Sequence, residues 1–213
     1  MTRFASVILD VDSTVTGIEG IDWLAEQRGA DVAIEVARLT DRAMAGEIAL
    51  EDVYGARLAL IQPTAHEIEL LAAAYQASIA PGAGAALAEL RANGVTLALV
   101  SGGLREAILP LAESLGFTAD ELHAVSISFG SVGDYSFERG SPLTRSAGKI
   151  AVAERLRLPR PTLAVGDGMT DLAMRPVVDA FGAFTGFVRR APVVAQADFE
   201  IASFRQLVSI VLE

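Results

Sequence analysis

Apolar and polar positions follow two rhythms along the chain. Short, unbroken apolar runs occur at 6–10 (SVILD), 95–100 (VTLALV), 161–165 (PTLAV) and 178–181 (VDAF), with a weaker one near 199–202 (FEIA). Runs of this length without alternation predict strands buried on both faces of a sheet. Between them, apolar residues recur at helical spacing over 84–94, 104–116 and 146–158, the first stopped by Gly94. Strand–helix alternation predicts an α/β fold with a doubly wound, mostly parallel sheet.

Two segments break the rhythm. Residues 16–80 carry helical patterns only, at 18–29, 31–45, 49–61 and 65–78. Pro63 ends one of these, and Thr64 with Glu67 forms a capping box for the next. The pattern predicts a helical cap domain over 16–80, inserted after the first strand of a core domain formed by 1–15 and 81–213. A cap over the strand ends must open, so hinges are expected near Thr16-Gly17 and Pro81-Gly82. The second segment, 124–140 (AVSISFGSVGDYSFERG), alternates around a turn and predicts a β-hairpin flap.

Composition narrows the chemistry. The 213 residues include 17 Lys and Arg against 27 Asp and Glu, a net charge of −10. That balance argues against a nucleic-acid or anionic-membrane partner. It also means that an anionic substrate must be held by a few local cations or a metal. The absence of cysteine excludes disulfides, zinc–thiolate sites and thiol catalysis. No uncharged apolar stretch approaches the ~18 residues of a membrane span. The first residues, MTRFASVILDVD, do not read as a signal peptide, and a cytoplasmic protein is expected.

Open α/β sheets bind ligands at the carboxyl ends of their strands. The first strand ends in Asp10 and Asp12, the second in Ser101-Gly102-Gly103, and the third in GDGMTD, with Asp167 and Asp171. Carboxylates gathered at one point repel one another. A hard divalent cation, Mg²⁺ or Mn²⁺, resolves that repulsion with oxygen ligands. Ser101 with its glycines reads equally as a phosphate cradle or as a plain helix cap.

Lys149 lies in the first turn of the 146–158 helix. With Ser146 as N-cap it is the third helical position, where a cation opposes the helix dipole at a cost of roughly 0.3–1 kcal/mol. Its neighbours at helical spacing, Val152, Ala153 and Leu156, form the buried face. That placement points to an anion. Arg57 sits among Val53, Tyr54, Leu60 and Ile61 with no acidic partner at helical spacing, so its guanidinium could grip a carboxylate bidentately. Glu19, near a helix start, and Met44, in RAMAG, read as pocket or as ordinary cap residues. His66 and His123 form no ligand pair, and neither a Ser–His–Asp set nor a Walker-type phosphate loop is present.

DVDST (10–14), Ser101-Gly102-Gly103, Lys149 and GDGMTD (166–171) resemble the four motifs of the haloacid dehalogenase superfamily of phosphohydrolases. EGID, RAMAG, RLALIQP and PG are similar, in the same order, to one phosphatase family within it. The resemblance runs from about residue 5 to residue 185, and the tail beyond reads as generic. It implies a Rossmann-like core with one Mg²⁺ per active site, held by Asp10, Asp167 and the backbone carbonyl of Asp12, with Asp171 in support. It further implies Asp10 as nucleophile and Asp12 as proton donor and acceptor. Ser101, Gly102, Gly103 and Lys149 would bind the phosphoryl oxygens. Glu19 would meet a substrate ammonium, Arg57 its carboxylate, and Thr170 and Met44 would line the pocket. The expected substrate is a small phosphomonoester, O-phospho-L-serine, in the last step of serine biosynthesis. Phosphohomoserine, phosphothreonine or transfer to an acceptor alcohol are near alternatives. A phospho-accepting receiver domain would share the aspartate and lysine, but the chain is too long for one and the helical insert opposes it.

Overall fold

A computed structural model describes residues 2–45, 47–131 and 133–213, with Met44 described in its backbone only. The expectation that the Met44 side chain lines the pocket therefore lies outside the described residues. The first strand, β1 (Ser6–Leu9), is buried along its whole length. Val7, Ile8 and Leu9 are at most 1% exposed, and burying side chains of this size stabilises by about 1.5–3 kcal/mol each. Four helices follow: α1 (Gly20–Glu26), α2 (Ala30–Met44), α3 (Leu50–Ile61) and α4 (Ala65–Ala77). The chain then returns through α5 (Ala83–Ala92), β2 (Thr96–Leu104), α6 (Arg105–Ser114) and β3 (Leu122–Val125). A hairpin of β4 (Ile127–Phe129) and β5 (Tyr135–Phe137) precedes α7 (Gly148–Leu156). β6 (Thr162–Gly166), α8 (Met169–Leu172), β7 (Ala180–Phe184), α9 (Ala191–Val194), β8 (Phe199–Ile201) and α10 (Phe204–Leu212) complete it.

The sheet order is β3-β2-β1-β6-β7-β8, and every pairing is parallel. β1 is central. The chain builds outward on one side of it through β2 and β3, then crosses to the other side at β6. The carboxyl end of β1 therefore lies at a topological switch point, where such sheets open a crevice.

The inserted helices hold together by their own apolar stripe. On α3 the buried residues are Leu50, Val53, Tyr54, Arg57, Leu58 and Ile61, a helical repeat that includes one arginine. The Thr64–Glu67 capping box starts α4 as expected, and Arg28 pairs with Glu67 from across the insert. The two connections to the sheet run side by side. Gly17 N–H donates to Ser78 O at 3.0 Å, Ala80 N–H donates to Val15 O at 2.9 Å, and Thr16 bridges Ile79.

Several sequence expectations shift. The 124–140 segment does contain an antiparallel hairpin, but its first residues belong to β3, the parallel edge of the main sheet. The strand expected at 178–181 starts instead at Ala180, because Asp179 turns its carboxylate to Thr162 N–H (2.6 Å) and to Arg160. β2 runs on through Ser101-Gly102-Gly103 to Leu104 with a register shift, and α6 starts only at Arg105. Beyond residue 185 the weaker strand expected near 199–202 forms as β8, the sheet's edge, and α10 follows it with Phe204, Leu207 and Val211 buried.

Candidate active site

Asp10 follows β1 directly and is 7% exposed. Its Oδ1 accepts from Val11 N–H at 2.8 Å and from Lys149 Nζ at 2.7 Å. Both contacts fall on one oxygen. Lys149 also donates to Asp171 Oδ1 at 2.6 Å, so the ammonium bridges two buried carboxylates. Ser146 is not the N-cap of α7. Ala147 holds that position, which makes Lys149 the second helical residue. The Ser146 hydroxyl instead accepts from Leu50 N–H (2.8 Å) at the start of α3. Asp171, on α8, accepts from Gly168 N–H at 3.0 Å. Asp10, Asp167 and Asp171 each place one oxygen within 4.8 Å of the others, and all three are buried.

Asp12 lies in the turn after β1, and its carboxylate is oriented differently. Tyr75 Oη, from α4, donates to Asp12 Oδ1 at 2.6 Å. Asp12 Oδ2 faces Gly103, where a β-carbon would lie 3.2 Å from it. Ser101 is fully buried, and its Oγ accepts from Gly103 N–H at 2.9 Å. Ser101 therefore orders the end of β2 and does not cap α6, whose N-cap is Leu104. Tyr54 Oη donates to Gly102 O at 2.9 Å, tying α3 to the same strand end.

The inserted helices supply the opposite wall. Glu19 accepts from Ser13 Oγ at 2.7 Å, with Ser13 in the left-handed region at φ 51°. Arg57 is 3% exposed. Its Nη1 donates to Thr40 Oγ1 at 2.9 Å, and Thr40 in turn donates to Asp22 at 2.5 Å. Arg57 Nε has no partner among the described residues. Thr170 is buried on the same cavity.

Tyr75 and Arg190 escaped the sequence reading. An aromatic within an apolar helix reads as core, and Arg190 lies in the tail. Its Nε donates to Asp167 Oδ2 at 2.9 Å, with Glu19 3.8 Å away.

These walls enclose a cavity of about 40 Å³, room for a few waters. Asp10, Asp12, Asp167 and Lys149 line it together with Glu19, Asp22 and Arg57. Burial, with repulsion from Asp171, holds the Asp10 carboxyl well above the usual range. Burial also pushes Asp12 up to about 6, opposed by Tyr75 and Lys149. Glu19 rises to about 7 through burial and the Asp12 charge, and Asp167 to about 7 through burial and the Glu19 charge. Burial alone would lower Lys149, but Asp10 and Asp171 outweigh it and raise it.

Five carboxylates (Asp10, Asp12, Glu19, Asp22, Asp167) and three cations (Arg57, Arg145, Lys149) face the cavity, two more acids than bases. The donors at the Asp10–Asp167–Asp171 cluster are all oxygens, so the site fits a hard divalent cation. No helix among the described residues is long and apolar enough to cross a membrane.

A family model for haloacid dehalogenase-like hydrolases matches residues 4–176, which includes every residue singled out from the sequence. The chain is 38% identical over 210 residues to the chloroplastic phosphoserine phosphatase of Arabidopsis thaliana, covering 96% of this chain and 70% of that protein. It is 34% identical over 206 residues to the Homo sapiens phosphoserine phosphatase, covering 95% and 91%. A solved structure of a phospho-aspartyl intermediate analogue of phosphoserine phosphatase superposes with a TM-score of 0.83 at 25% identity, over 97% of this chain and 98% of that one. Buried carboxylates at the ends of β1 and β6, a bridging lysine and a near-full-length likeness agree: the chain belongs to the haloacid dehalogenase-like hydrolase family and, within it, to that of the phosphoserine phosphatases.

Proposed function

We propose that this chain hydrolyses O-phospho-L-serine to L-serine and phosphate. Asp10 is the nucleophile: its carboxylate oxygen forms a bond to phosphorus as the serine oxygen leaves. An ionised carboxylate needs no base to attack. Asp12 gives its proton to the departing serine oxygen, then takes one from the water that attacks the aspartyl-phosphate. That second displacement releases phosphate and restores the Asp10 carboxylate. Asp10, Asp167 and the backbone carbonyl of Asp12 would hold Mg²⁺, with Asp171 in support; when bound, the ion neutralises charge on the phosphoryl group. Lys149 and Ser101-Gly102-Gly103 at the end of β2 bind the phosphoryl oxygens, which is most of what a loose phosphoryl-transfer transition state requires.

The observation that carries the substrate is the buried Arg57 in the cavity. Arg57 is buried with an unpartnered Nε and lines one cavity with Glu19, Asp10 and Lys149. That lining suits a zwitterion: Arg57 takes the carboxylate and Glu19 the ammonium. The relatives named phosphoserine phosphatase support the same assignment, and the phospho-aspartyl analogue supports Asp10 as the phosphorylated group. In this reading residues 16–80 are a cap on a core of 1–15 and 81–213. The narrow cavity admits substrate when the cap swings on the paired connections at Thr16 and Ile79. A cytoplasmic setting fits the cysteine-free chain.

A phosphate-release panel tests the proposal. With Mg²⁺, phosphoserine is turned over faster than phosphothreonine, phosphohomoserine or an aryl phosphate, and chelation abolishes the activity. Turnover of phosphoserine no faster than of the aryl phosphate would remove the assignment. An added acceptor alcohol that captures the phosphate would make the chain a phosphotransferase.

A further inference from the structure

Asp12 is held from the side of the inserted helices, by a residue that is not among those lining the cavity. Tyr75 is fully buried on α4, and its hydroxyl donates to Asp12 Oδ1 at 2.6 Å. Gly20 makes room for it: a β-carbon there would lie 1.9 Å from the Tyr75 hydroxyl oxygen. The donor and the glycine that makes room for it both come from the inserted segment, although Asp12 itself belongs to the turn after β1. With Oδ1 occupied, the oxygen left to exchange a proton is Oδ2, which faces Gly103 at the end of β2.

We propose that Tyr75 is a positioning residue for Asp12, fixing Oδ1 so that Oδ2 alone meets the departing serine oxygen and the incoming water. The inference rests on the hydrolytic reading above. Tyr75 touches neither phosphorus nor substrate, and it gains and loses no proton. Its hydroxyl keeps its hydrogen while Asp12 Oδ2 gives a proton to the serine oxygen and recovers one from water. Because Tyr75 and Gly20 both lie on the inserted helices, Asp12 is aligned only while those helices are seated on the sheet. Closure over the substrate and alignment of the proton carrier are then one event.

Tyr75→Phe in the full chain with Mg²⁺ tests this by removing one oxygen and keeping the ring. For phosphoserine, kcat falls about ten- to a hundred-fold while KM stays within about twofold. A second arm uses p-nitrophenyl phosphate, whose leaving group departs as a stable anion without a proton. Its first-turnover burst keeps the wild-type rate, while steady-state turnover falls because water activation still needs Asp12. Gly20→Ala reaches the same hydrogen bond without altering Tyr75 and shows the same split. It also costs more in the wild type than in the Tyr75→Phe background, where the hydroxyl it displaces is gone. An unchanged kcat for phosphoserine, or a burst that slows by the same factor as that kcat, overturns the proposal. Equal costs of Gly20→Ala in the two backgrounds overturn it as well. If wild-type enzyme does not prefer phosphoserine, the substrate assignment fails, and the p-nitrophenyl arm still decides the role of Tyr75.

Discussion

Arg57→Ala bears most directly on why this site would choose an amino-acid phosphate. The guanidinium is buried at 3% exposure, and no carboxylate among the described residues lies within hydrogen-bond distance of it. Its one hydrogen bond, 2.9 Å from Nη1 to Thr40, goes to a neutral hydroxyl, and Nε is bare. Burial lowers its pKa, yet a guanidinium stays charged. The fork is therefore available to a carboxylate in a buried pocket. Hydrogen bonds to charged groups contribute about 1.5–3 kcal/mol each, and truncating one side of a buried charged pair costs about 2–5 kcal/mol. Taking about 3–4 kcal/mol, at roughly 1.4 kcal/mol per factor of ten, kcat/KM for phosphoserine falls by about 10²–10³. Most of the loss lies in KM, because this end of the substrate does not react. The assay is steady-state phosphate release from phosphoserine and from O-phosphoethanolamine, which keeps the phosphate and ammonium but lacks the carboxylate. Phosphoethanolamine turnover should change less than about threefold. An equal fall for both substrates, or an unchanged KM for phosphoserine, refutes the pairing of Arg57 with a carboxylate.

Two further outcomes test the inserted helices. Arg28 and the Thr64 cap hold Glu67 down to about 2, below its unfolded value, so the stabilisation is full above about pH 4.5 and is lost as pH falls toward 2. The partly exposed rim position reduces its worth to about 1–2 kcal/mol. Thermal unfolding of Glu67→Gln should show that deficit at pH 7 and a narrowing gap between pH 5 and 3; a constant gap contradicts it. Amide hydrogen exchange at Gly17 and Ala80, whose N–H groups join the two connections, should slow on addition of inorganic phosphate and Mg²⁺, and unchanged exchange counts against a moving cap.

The central strands were legible because a strand buried on both faces writes itself as a continuous apolar run, as Val7-Ile8-Leu9 does. β3 was not, since LHAV is short, carries a histidine and borders a real hairpin. The strand-end acids and Lys149 were legible as types in places, but their pairing was not. Which carboxylate oxygen Lys149 meets, and that Ser146 caps a helix start 96 residues away, are products of tertiary packing. Tyr75 shows the limit most clearly. Along α4 it keeps the helical repeat of Ile68, Leu71 and Ala72, and only the fold reveals that its hydroxyl has a carboxylate to serve. Arg190 lacked even a periodic context.

The central claim is that phosphoserine passes its phosphoryl group to Asp10. Rapid acid quench of the Mg²⁺-supplemented enzyme with phosphoserine labelled at phosphorus, followed by peptide mapping, tests it most directly. The account predicts label on the peptide bearing Asp10 within the first turnover, and none in Asp10→Asn. Turnover without labelled protein, or label on another residue, would contradict it.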